Sequence, residues 1–169
     1  MGGSGGGGPS RKDLTKLEQV ARQAIREASE SGRRNVFISF AFEDANEVNL
    51  LRGQARNENA SIEFNDWSLR EPFDSARAEY IKRGIRERIQ QSSVTLVYLS
   101  RHTANSRWVD WEIRESVRLG KGVIAMYQGE SPPQVLPRAI VDNSKNVVMT
   151  PWTHEGIAKS IENAIQANK

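Results

Sequence analysis

The chain has 169 residues, of which 37% are hydrophobic and 27% charged, the make-up of one globular domain with a short extension. It has no cysteine and two histidines, His102 and His154, which excludes disulfides, thiolate metal sites and His-rich metal centres. The formal net charge is +3, but acids and bases interleave without runs, so nothing demands a nucleic-acid partner.

No apolar stretch approaches the ~20 residues of a membrane span, and the N-terminus has no apolar signal region. A cytoplasmic protein without membrane attachment is the expectation. Residues 1–10, MGGSGGGGPS, form a Gly-rich lead expected to be disordered. Leu14, Leu17, Val20, Ala21, Ala24, Ile25 and Ala28 recur at helical spacing. They predict an extra N-terminal helix within 11–32, with Asp13 as cap and Gly32 as stop.

Residues 33–169 read as one domain in which strand and helix alternate. Val36–Phe40 is a buried strand. Ala45–Asn57 is a helix with Asp44 placed to cap it. Ser61–Phe64 is a short strand, followed by the polar loop Asn65–Asp74. Ser75–Gln91 is a helix with Ala78, Ile81, Ile85 and Ile89 on one face. Val94–Leu99 is the central strand. Trp108–Leu119 is a helix that Gly120 ends, and Val123–Tyr127 is another buried strand. A loop with Pro132, Pro133 and Pro137 leads into a short helical piece. Asn146–Met149 is the last strand, and Thr153–Ala167 closes the chain as a helix.

Apolar strands separated by helices imply a parallel sheet covered on both faces. Right-handed crossovers then predict a flavodoxin-like, doubly wound α/β fold with five strands in the order 2-1-3-4-5. Ligands of such sheets sit beyond the carboxyl ends of the strands at the topological switch, here between the first and third strands. That directs attention to 40–44, 65–74 and 100–112.

In the helix after the third strand, Val109, Ile113 and Val117 form the stripe facing the sheet, and Ser106 is placed to cap it. Trp108 and Glu112 are four apart and share a flanking face, which predicts that they border the mouth of a crevice and not its floor. A carboxylate there has two readings. It is a surface Glu paired with Arg107 or Arg118, or a desolvated carboxylate of raised pKa beside an indole wall. The first-strand exit offers Ser39, Phe40 and Phe42. Either phenylalanine is a lid over the sheet end or a platform for a planar ligand. The ten-residue loop with Trp67, Arg70 and Phe73 exceeds a usual strand-to-helix connection. No Gly-rich phosphate cradle occurs, so phosphates would fall to Arg side chains and helix amides.

Three segments resemble the Toll/interleukin-1 receptor (TIR) superfamily, specifically its bacterial branch in Thoeris-type antiphage defence. Val36–Phe40 with Glu43-Asp44 is similar to the first-strand box. The 65–74 loop takes the place of the mobile loop after the second strand. Ser106-Arg107-Trp108 through Glu112 resembles the Ser-x-Trp-x-x-x-Glu signature. The resemblance implies an enzyme that breaks the nicotinamide–ribose bond of NAD, with NAD as substrate and no resident cofactor or metal. The products would be nicotinamide and ADP-ribose, a cyclic isomer or a conjugate. It implies Glu112 as the catalytic carboxylate, with Ser39, Phe40, Phe42, Trp67, Arg70, Phe73, Ser106 and Trp108 as substrate-binding residues. It also implies a homo-oligomer that can share active sites between protomers, and a downstream effector protein as partner.

Competing readings are a non-enzymatic TIR-type assembly module, a phosphoacceptor receiver and a deoxyribosyltransferase-like enzyme. The receiver needs an Asp ending the third strand, where this chain has Tyr98-Leu99-Ser100.

Overall fold

The computed structural model describes residues 34–57, 62–65 and 72–167. The Gly-rich lead, the predicted N-terminal helix, Trp67 and Arg70 lie outside them. In chain order the elements are β1 (Arg34–Ser39), α1 (Ala45–Asn57), β2 (Ile62–Asn65), α2 (Ala78–Gln91), β3 (Val94–Leu99), α3 (Arg107–Arg118), β4 (Gly122–Tyr127), α4 (Arg138–Asp142), β5 (Val147–Pro151) and α5 (His154–Ala167).

The strands stand in the order β2-β1-β3-β4-β5. Parallel register is described for four of them: Ser39 lies opposite Val97, Leu99 opposite Tyr127, and Tyr127 opposite Pro151. Side chains alternate across a strand, so each strand feeds two layers. Val36, Ile38, Leu96, Tyr98, Ile124 and Met126 pack on one face with Val48 of α1 and Ile157 and Ile161 of α5. The opposite face carries two clusters. Val97, Leu99, Val123 and Ala125 meet α3 and α4, while Phe37 meets Ile81, Ile85 and Ile89 of α2. Covering on both faces explains why β3 is buried along its whole length and reads as a continuous apolar run.

Some helix ends differ from expectation. α2 begins at Ala78 and not Ser75, because residues 73–77 form turns before the helix and Arg77 offers no side-chain cap. Asp44 ends a single 3-10 turn, Phe42–Asp44, and its carboxylate turns away to Ser100. Two predicted ends hold. The Ser106 hydroxyl oxygen accepts the Val109 N–H at 3.3 Å, and Gly120 follows α3 at φ 72°, a left-handed conformation that glycine adopts without steric cost.

Candidate active site

The alternation of β1 places Ile38 and Phe40 toward the α1–α5 layer, while Ser39 faces α2 and α3. Ser39 is 1% exposed and Glu112 6%. The Ser39 hydroxyl donates to Oε2 of Glu112 in a hydrogen bond that joins the last residue of β1 to the middle of α3. Burial pushes the Glu112 carboxyl up to about 8, and the Ser39 hydrogen bond opposes that rise.

The carboxylate therefore lies within the layer between α3 and the sheet, not at a crevice mouth as its flanking position predicts. α2 covers that flank of α3, so a residue beside the core stripe is buried as well. The surface-pair reading fails for the same chain segment: Arg107 pairs with Asp74, and Arg118 pairs with Glu115 at 2.5 Å.

Two hydroxyls fix the helix backbone beside the carboxylate. Ser116 donates to the Glu112 carbonyl at 2.7 Å and lies 2.7 Å from the Thr95 hydroxyl of β3. One turn further on, the Glu115 carboxyl is held down to about 2, chiefly by the hydrogen bond from Arg118 and then by Arg86 of α2, against the opposing effect of burial.

The aromatic residues gather on the α2 side of α3. Phe73 and Trp108 meet edge to face at 4.9 Å, and Trp108 and Trp111 at 6.2 Å. Lys82 stands 4.3 Å from the Phe73 ring centre, and Arg107 4.7 Å. Trp108 and Phe73 are thus brought into contact. Ser106 spends its oxygen on the helix cap. Phe40 packs with the α1–α5 layer under the Arg52 guanidinium, away from Ser39's face. Phe42 is 52% exposed.

A cavity of about 330 Å³ opens beside α3, with Phe73, Arg107, Asp110, Trp111, Arg114 and Arg138 among its lining; Glu112 does not line it. Among the described residues, no group of three or more His, Asp or Glu is arranged to hold a metal ion.

Sequence reasoning missed the link between the two loops at the switch. Ser100 donates to Asp44 at 2.5 Å and accepts the His102 N–H at 3.0 Å, while Thr103 receives the Ser100 N–H at 2.7 Å. Asp44 is 5% exposed, and burial raises its pKa against the Ser100 hydrogen bond. A residue at a helix-cap position gave no signal that its partner would be 56 residues away.

With this geometry in hand, the comparisons are specific. The family described as Thoeris protein ThsB, TIR-like domain, matches residues 37–132. The chain is 32% identical over 99 residues to ThsB1 of Bacillus cereus (strain MSX-D12), provisionally named a cyclic ADP-D-ribose synthase. That match takes in 56% of this chain and 51% of the relative, so the chain spans about half of the relative's length. Among solved structures, the CMP N-glycosidase BcmB of Clostridium botulinum aligns at TM-score 0.48 and 12% identity, over 77% of this chain and 99% of that one. The TIR domain of the Toll-related receptor TRR-2 of Hydra magnipapillata aligns at 0.47 and 17%, over 79% and 96%. At these scores the family assignment stands on the sequence match alone.

Proposed function

Since this chain belongs to the TIR-like domain family of the Thoeris protein ThsB, we propose that it cleaves the nicotinamide–ribose bond of NAD, with Glu112 as the catalytic carboxylate. The observation that carries the reading is a carboxyl buried beside the switch of a parallel sheet, with a hydroxyl as its hydrogen-bond partner and no cation paired with it among the described residues. Leaving a carboxyl there costs folding free energy, which packing alone would not select.

Breaking a glycosidic bond to a cationic leaving group builds positive charge on the ribose. A carboxylate in a desolvated layer meets that charge more strongly in the transition state than in the ground state, so it lowers the barrier. The nicotinamide departs with the bonding electrons and becomes neutral. Water, or a nucleophile within the ADP-ribose itself, then completes the product. The name of the Bacillus relative favours the cyclic product.

Incubation of purified protein with NAD, with mass identification of the products, tests this directly. Wild type is expected to release nicotinamide together with an ADP-ribose species. Glu112→Gln is expected to lower turnover by about 10²–10³-fold while its circular dichroism spectrum stays unchanged. Equal turnover by the two proteins would remove Glu112 from the chemistry.

A further inference from the structure

We infer that Ser39 is a positioning residue, whose hydroxyl holds Oε2 of Glu112 and so sets the orientation of the carboxylate that acts on the ligand. This rests on Glu112 as the acting group.

The geometry behind it is specific. Ser39 is the last residue of β1, and the strand alternation turns its side chain, unlike those of Ile38 and Phe40, toward α3. Its hydroxyl reaches Glu112 across 73 residues of sequence. Both residues are buried, so water does not compete for the bond. Ser116 fixes the Glu112 carbonyl, which leaves the side chain to be oriented by Ser39. Ser39 is the hydrogen-bond partner described for the Glu112 side chain.

The charged groups on the surrounding elements are engaged elsewhere. On α2, Arg86 turns to Glu115 and Lys82 lies over the Phe73 and Trp111 rings. On α3, Arg107 pairs with Asp74, Arg118 with Glu115, and Arg114 with Asp110 and Asp142. On the β1 exit, Asp44 is held by Ser100. The Ser39 hydroxyl is therefore the group that favours the charged form of Glu112 against burial. A hydroxyl can only donate to the carboxylate, so removing it raises the carboxyl's affinity for its proton.

The test compares wild type, Ser39→Ala and Ser39→Thr, with Glu112→Gln as control. The first readout is the titration of the Glu112 side-chain carbon by NMR, assigned by its loss in Glu112→Gln. Ser39→Ala is expected to move the midpoint up by about one pH unit, a tenfold change in ionisation, and Ser39→Thr to restore it. The second readout is NAD cleavage against pH. The acidic limb of kcat/KM should move by the same amount, so the Ser39→Ala deficit is about ninefold at pH 7 and only about twofold at pH 9.

A midpoint and limb unchanged in Ser39→Ala overturn the inference. Should Ser39→Ala fail to fold, Ser39→Cys supplies a weaker donor, and its midpoint must then rise; an unmoved midpoint there overturns the inference too. The two claims fail separately. NAD cleavage by Glu112→Gln at the wild-type rate defeats the functional reading, while the NMR titration still decides the role of Ser39. An inactive Glu112→Gln with an unmoved Ser39→Ala midpoint defeats only the Ser39 role.

Discussion

On the role proposed for Glu112, activity and stability depend on pH with opposite signs. Its carboxyl titrates near 8 in the folded chain against an ordinary value of 4.5. A reaction that needs the carboxylate therefore gains as pH rises: kcat/KM for NAD is expected to climb through about pH 8 and level off above it. Stability runs the other way. Between 4.5 and 8 the folded state binds the proton that the unfolded chain has released, so stability is full below 4.5 and declines as pH climbs toward 8. Glu112→Gln, which cannot ionise, should melt at least about 4 °C above wild type at pH 9 and lose most of that advantage at pH 4.5. Thermal unfolding at the two pH values checks it. The position of this residue on α3 was legible from the spacing of Val109, Ile113 and Val117. Its depth was not, because depth depends on α2 lying along the neighbouring flank, and no local periodicity encodes a neighbour.

At the scale of the element, α3 is held at its start and along its side by different means. Ser106→Ala should cost about 1 kcal/mol by removing the acceptor for the Val109 N–H. Glu115 pins the helix to α2 through Arg86 and to its own last turn through Arg118. Its folded pKa lies below its unfolded one, so its contribution is present above pH 4.5 and vanishes as pH falls through about 2. The guanidinium partners are 39% and 60% exposed, and solvent screens them. Glu115→Gln is therefore expected to cost only about 1 kcal/mol at pH 7 and nearly nothing at pH 2, measured by urea unfolding. The cap follows from a spacing of three and was readable, whereas the sequence offered Arg118 as a partner for Glu112 and not for Glu115. The Arg86 contact and the Asp44–Ser100 link join separate elements, and sequence spacing carries no trace of them.

For the molecule as a whole, the order of elements was the most legible feature. The apolar run Val94–Leu99 and the alternation of strands with helices already imply a doubly covered parallel sheet, because helices between successive strands cover both faces and bury such a run. The two layers follow from strand alternation once the order is known. The gathering of Phe73, Trp108 and Trp111 follows only from packing.

The central place of β3 has a consequence for deuterium uptake. Its amides and carbonyls are matched by β1 on one side and β4 on the other, whereas β5 stands last in the strand order. Labelling of Val94–Leu99 should thus require global opening, and among β1, β3, β4 and β5 the β5 amides should label first. Fraying that begins at the β5 margin would leave the β1–β3 seam closed, so the serine–glutamate clasp should outlast partial loosening of the fold.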